Sequence, residues 1–508
     1  MRKALPALLA VAVLVIAGCT EASSGSAKTS GLRASALLPA LNWEPCPEVG
    51  KRLRCAGLKV PLDYAKPDGR KITLALSEVL ATAPTSQRQG VLLVNPGGPG
   101  GRGRGLAAAV ASDLDPAVAA DYTIVGFDPR GVGGSVPALH CDTSFFSGVR
   151  PNYVPATKSA EQVLIGRAKT YAADCEKRYG WLLPFMTSED TARDMDSIRV
   201  ALGQQKINFF GISYGTYLGQ VYVTLFPKRI RRMVLDSTVD PDGVWYADNI
   251  AQDYSFEGRV KAFFAWVASH HDSYHLGKTA TQVSTAWYKA RADLAAHPIR
   301  GPSGPLVGPD EYDDTFLTGG YNNAHWPSLA SALSSYLHTG SARQLIAQYD
   351  REGEQNENLF AVYSAVECSD VNWPRNWAKW DSDTRKVYAT APFEAWDNAW
   401  FNAACAFWPV KGPSRPLQIK GAGLPGILML QGTLDAPTPY AGAQVAHKLL
   451  PSARMVVVEG GGNHGQSFRN PPNLCVNGYV SRYLATGALP EKPGLVNATC
   501  QALPAPVP

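Results

Sequence analysis

The chain has 508 residues, 45% hydrophobic and 18% charged, with a formal net charge of +5. A chain of this length and apolar content buries a large core and divides into two structural units. The charge is modest and no dense Lys/Arg tract is interleaved with aromatic residues, so nucleic-acid binding has little support.

At the amino end Arg2 and Lys3 precede an apolar run over residues 4–17, which ends in Ile16-Ala17-Gly18-Cys19. The run is too short for an ordinary membrane span and reads as a signal peptide over residues 1–18. Its last four residues resemble the bacterial lipobox. Cys19 would then carry lipid and anchor the chain to the outer face of the cytoplasmic membrane. Residues 19–38 hold that cysteine and a flexible tether rich in Ser, Ala, Gly and Thr.

Alternating strand and helix patterns fill residues 39–240 and return over 416–508, which predicts an α/β fold with a mainly parallel sheet and helices on both faces. Strands are expected at 72–79, 91–95 and 122–128, and a helix at 188–202. The strand at 91–95 leads into Pro96-Gly97-Gly98-Pro99-Gly100-Gly101. Those glycines let backbone approach a reacting carbonyl, and Gly98 is the candidate amide donor to an oxyanion. A phosphate cradle is disfavoured, because there is no G-K-[ST] and no G-x-G-x-x-G followed by an acid.

Gly-Ile-Ser-Tyr-Gly at residues 211–215 fits G-x-S-x-G, a strand-to-helix turn that exposes a serine hydroxyl. An apolar strand at 207–210 and a helix from residue 216 supply the required flanks. Ser213 is the candidate nucleophile, and the backbone N–H of Tyr214 is the second oxyanion donor. Residues 241–415 are dominated by helical stretches rich in Trp, Tyr and Ala, such as 257–271 and 281–296. This insert reads as a cap over the strand ends, where ligands bind in open α/β sheets.

A serine hydroxyl needs a base and an acid that orients the base, in the chain order Ser, Asp, His. The buried-strand pattern at 426–432 ends in Thr433-Leu434-Asp435, and the next apolar run, 455–459, leads into Gly460-Gly461-Gly462-Asn463-His464-Gly465. Asp435 is therefore the expected acid, with Asp236 or Asp240 after the strand at 232–235 as the rival. His464 is the expected base. His447, the other histidine after Asp435, falls in a helical stretch at 440–450 and is expected to lie along the surface.

Setting Cys19 aside, eight cysteines remain, an even number that favours four disulfides in an exported chain. Neighbours in sequence form short loops, so the expected pairs are Cys46 with Cys55, Cys141 with Cys175, Cys368 with Cys405, and Cys475 with Cys500. No C-x-x-C spacing suggests a metal, and no cofactor is implied.

The motifs Asn95-Pro96-Gly97-Gly98-Pro99-Gly100, Phe127-Asp128-Pro129-Arg130-Gly131-Val132-Gly133, Gly211-Ile212-Ser213-Tyr214-Gly215, Gly432-Thr433-Leu434-Asp435 and Gly462-Asn463-His464-Gly465 together resemble the secreted bacterial tripeptidyl aminopeptidases. These are α/β-hydrolase serine exopeptidases related to prolyl aminopeptidases, and the resemblance is strongest in the core and thin in the cap. It implies release of short peptides, typically three residues, from a free amino terminus through an acyl-enzyme. Such an enzyme must bind the substrate ammonium, and Glu367 and Asp370, beside Cys368, are the candidate partners. An esterase or lipase would use the same triad. A catalytically silent envelope binding protein would keep the fold alone.

Overall fold

The computed structural model describes residues 41–148, 150–300, 306–353 and 356–508; the expected signal peptide, Cys19 and the whole of the tether lie outside the described residues. The main sheet contains, in chain order, β1 (Glu44–Pro45), β2 (Arg54–Pro61), β3 (Lys71–Val79), β4 (Gly90–Asn95), β5 (Tyr122–Asp128), β6 (Ile207–Ile212) and β7 (Ile230–Asp236). After the short ribbon of β8 (Ile299–Arg300) and β9 (Leu306–Val307), β10 (Ile427–Gly432), β11 (Ala453–Glu459) and β12 (Ala498–Gln501) complete it. The order is β1-β2-β3-β5-β4-β6-β7-β10-β11-β12. Pairing is antiparallel from β1 through β3 to β5 and parallel from β5 to β12.

Burial explains the difference. Every residue of β10 is buried, as expected of a parallel strand covered on both faces, whereas β2 alternates buried with exposed residues because one face meets solvent. Successive residues of a central strand feed opposite cores: Leu93, Phe127 and Phe209 pack on one side of the sheet, and Leu92, Val94 and Phe210 on the other. The chain belongs to an α/β architecture in which each crossover helix closes one of these two apolar layers.

Between β7 and β10 the chain is mainly helical. The helices Tyr246–Ser269, Ala280–Ala296, Pro309–Tyr321 and Trp326–Thr339 share an aromatic core of their own, with Phe263, Phe264, Trp287, Phe316 and Trp326 in contact. The helix Glu357–Asp370 is different, because Phe360, Ala361, Val362, Ala365 and Val366 join the core of the sheet. Its first turn is bonded there too. Asn358 Nδ2 donates to the carbonyls of Gly131 and Leu139, and Asn358 Oδ1 accepts from the Gly133 amide. Glu357 accepts from the amides of Cys141 and Asp142 and from the Tyr171 hydroxyl.

The four expected disulfides, Cys46–Cys55, Cys141–Cys175, Cys368–Cys405 and Cys475–Cys500, are all formed. Among the described residues no helix is long and apolar enough to cross a membrane.

Candidate active site

β6 ends at Ile212, and the chain reverses at Ser213 into the helix Tyr214–Leu225. Ser213 holds φ 58° and ψ −129°, a conformation costing about 1–3 kcal/mol that persists only where the surroundings enforce it. They do so here. Its amide donates to the Asp236 carbonyl at 3.0 Å, and its carbonyl accepts from the amide and hydroxyl of Thr216. A Cβ at Gly211 would collide with the Gly215 carbonyl oxygen, and one at Gly215 would lie 2.7 Å from the Asn95 carbonyl oxygen, which is why the turn needs glycine on both sides.

The glycine loop after β4 presses onto this turn. A Cβ at Gly97 would lie 2.9 Å from Ser213 Cβ and 3.0 Å from the Tyr214 nitrogen. The Gly97 amide is committed to Asn95 Oδ1 at 2.9 Å, and Gly98 lines the same cavity as Ser213.

His464 Nδ1 lies 2.9 Å from Asp435 Oδ1, and Asp435 is 2% exposed. The Thr438 amide and Gln466 Nε2 also donate to this carboxylate. With Nδ1 turned to Asp435, the imidazole has Nε2 left for the cavity, where His464 and Ser213 both form part of the lining. The rival acids are placed elsewhere. Asp236 accepts from the amides of Gln466 and Ser467 and from the Ser467 hydroxyl, so it fastens the loop after His464. Asp240 reaches the cavity wall, but its Oδ1 accepts from the Asp242 amide.

His447 departs from expectation. It is buried instead of lying along the surface, because Asn497 Oδ1, 3.1 Å from its Nε2, gives the imidazole an internal partner.

The cavity has a volume of about 530 Å3 and lies between the sheet and the insert. The insert lines it with carboxylates, Asp248, Asp314, Glu367, Glu394 and Asp397, and with no lysine or arginine among the described residues. Burial raises the Glu367 carboxyl well above its usual range, and its Oε2 has no hydrogen-bond partner among the described residues. Glu394 and Asp397 are also pushed well up, first by burial; Asp397 adds to the shift of Glu394, and Asp314 to that of Asp397. Asp397 Oδ2 is likewise buried with no hydrogen-bond partner among the described residues. Asp314 instead accepts from Arg150 Nη2 at 2.7 Å.

Asp370 is not part of this lining. It accepts from the amide and hydroxyl of Ser188 and so holds the first turn of the helix Ser188–Ala201. Glu394 and Asp397 were not expected from sequence. The available signal is an acid pair three residues apart at the start of one helix, Glu394 at its N-cap and Asp397 in its first turn, with Trp396 between them.

A half-buried serine on a strained strand-to-helix turn and a carboxylate-held imidazole lining the same cavity mark a serine hydrolase. The chain belongs to the alpha/beta hydrolase fold family, whose profile matches residues 90–469. It is 42% identical over 462 residues to the tripeptidyl aminopeptidase of Streptomyces coelicolor, covering 88% of this chain and 84% of that protein. It is also similar to the serine protease Hip1 of Mycobacterium tuberculosis, at 29% identity over 514 residues and 95% of each chain. Carboxylesterase B of the same organism is 32% identical over 507 residues, 95% of this chain and 94% of that one.

Proposed function

We propose that this serine hydrolase is an exopeptidase that releases short peptides, tripeptides above all, from free amino termini through an acyl-enzyme. The observation that carries this reading is the cavity's asymmetry, with Ser213 and His464 on the sheet side and, on the insert side, Glu367, Glu394 and Asp397 in a lining that holds no lysine or arginine among the described residues. A peptide ammonium is the complementary group for such a wall.

In the proposed cycle His464 Nε2 takes the Ser213 proton as the hydroxyl oxygen attacks the scissile carbonyl carbon. Asp435 holds the ring and stabilises the imidazolium. The amides of Gly98 and Tyr214 receive the oxyanion. The imidazolium then protonates the leaving amine, and water repeats the sequence on the ester. Glu367, Glu394 and Asp397 bind the substrate ammonium, and the distance from them to Ser213 sets how many residues leave.

Unblocked tripeptidyl amides should be cleaved and their N-acetylated forms spared. Equal turnover of the two would overturn the exopeptidase reading. The similarity to a carboxylesterase supports a second reading, ester hydrolysis by the same serine, in which simple acyl esters outrun every peptide amide. Loss of fluorophosphonate labelling in Ser213→Ala tests the nucleophile.

Export with a lipid on Cys19 belongs to the same proposal. Cys19→Ala should move the protein from the membrane fraction to the soluble one, and unchanged partitioning would refute the anchor.

A further inference from the structure

A second, smaller cavity of about 40 Å3 lies behind the loop that carries His464. It is lined by Arg259 of the helix Tyr246–Ser269 and by Arg469, along with Gly461, Gly462 and Leu503. Arg259 is 5% exposed, and its Nε and Nη2 have no hydrogen-bond partner among the described residues. The guanidinium lies over the Trp326 ring, 5.0 Å from its centroid, and a Cβ at Gly462 would collide with Nη1. Arg469 donates Nε to the Gly465 carbonyl at 2.6 Å.

Two guanidiniums thus face one small space, and the carboxylates nearest to them are already engaged. Asp435 holds His464 and the Thr438 amide, while Asp236 holds Gln466 and Ser467. Burial lowers both arginines, Arg259 to about 10, and outweighs the opposing pull of Asp435 on each and of Asp236 on Arg469. Buried donors of this kind are stable only when an acceptor satisfies them, and a charged acceptor does so most strongly. A cavity of this size has room for one to three water-sized particles, which admits a halide and excludes a sugar acid.

We infer that the cavity between Arg259 and Arg469 is a binding site for a small monovalent inorganic anion, chloride, held behind the His464 loop. The carboxyl-terminal segment closes it. The Ala502 amide donates to the Glu459 carbonyl at 3.1 Å, Leu503 lines the cavity, and Trp266 Nε1 donates to the Pro506 carbonyl at 2.9 Å. Trp266 lies two helical turns from Arg259 on the same helix, so the tail runs along the side of the helix that presents the guanidinium.

The test uses the full chain and needs no substrate, so its outcome is independent of the exopeptidase reading. Melting is followed in sodium chloride and in sodium gluconate at equal ionic strength, and a crystal is soaked in bromide for anomalous scattering. The expected result is a Tm that rises with chloride and saturates, a rise lost in Arg259→Gln, and a bromide peak touching both arginines. Equal melting in the two salts, an undiminished rise in Arg259→Gln, or no bromide between the guanidiniums overturns the proposal. Should Arg259→Gln not fold, Arg469→Gln makes the same comparison, and the bromide map requires no variant.

Discussion

The backbone amide of His464 donates to the Tyr321 carbonyl at 2.8 Å, and the two rings meet edge to face with centroids 5.5 Å apart. Tyr321 is the last residue of the insert helix Pro309–Tyr321. The imidazole is therefore positioned by the insert as well as by the sheet, and a change in the insert reaches it through backbone.

Asn463 provides a handle on this coupling. Its Oδ1 accepts from the Asn323 amide at 2.9 Å, the bond next to the Tyr321 contact. Asn463→Ala should cost about 1 kcal/mol of stability, the usual net worth of one such bond. Steady-state kinetics should show kcat falling more than KM rises, because the loss displaces the base and leaves the ammonium wall intact.

Asp435 and Asp236 separate by assay. Asp435→Asn should lower kcat by about 10^4, the known scale for an acid that fixes the histidine tautomer, with only a small change in Tm. Asp236→Asn should instead lower stability by about 1–3 kcal/mol, because it weakens the acceptor for the 466–467 amides. The reverse pattern would reassign the acid.

Substrate binding should depend on pH through the insert carboxyls. Burial holds Glu367, Glu394 and Asp397 above the usual carboxyl range, so acidification protonates them earlier than ordinary carboxylates. KM for a free-amine peptide should rise as pH falls, and rise again above about 8 as the substrate amine loses its proton. Glu394→Gln should raise KM by about tenfold or more with little effect on kcat, the scale of one hydrogen bond to a charged group. An ester lacking the amine should show neither effect.

Asp253 should shape the stability curve. Burial raises its carboxyl to about 7, against the favourable bond it accepts from Asn398 Nδ2 at 2.8 Å. A folded value above the unfolded one means that the native state binds more protons between them. The stabilisation is complete below the unfolded value of about 4 and is lost as pH rises through about 7. Melting of Asp253→Asn should lack this decline, so its Tm gains on the wild type across that interval.

The core was legible because its signals are local. A glycine-flanked serine between a buried strand and a helix forces one turn geometry, and β4, β5 and β10 are runs whose apolar character does not depend on their neighbours. The acid wall was only half legible. Glu367 and Asp370 sit three residues apart on one helix, yet one faces the cavity and the other caps Ser188, a division set by what packs on each side. Glu394 and Asp397 come from a separate helix, and only tertiary folding brings them to the same space. His447 was misread because its partner, Asn497, lies fifty residues away in sequence.

Asn358 and Glu357 tie the helix bearing Glu367 to the 131–142 segment of the core. That wall cannot swing aside as a hinged door would. On the proposed reading a substrate must thread its end into a chamber whose frame is already fixed, so a terminus pinned in a helix or a sheet stays outside. The enzyme would then select first for slack in a polypeptide, and only afterwards for its sequence.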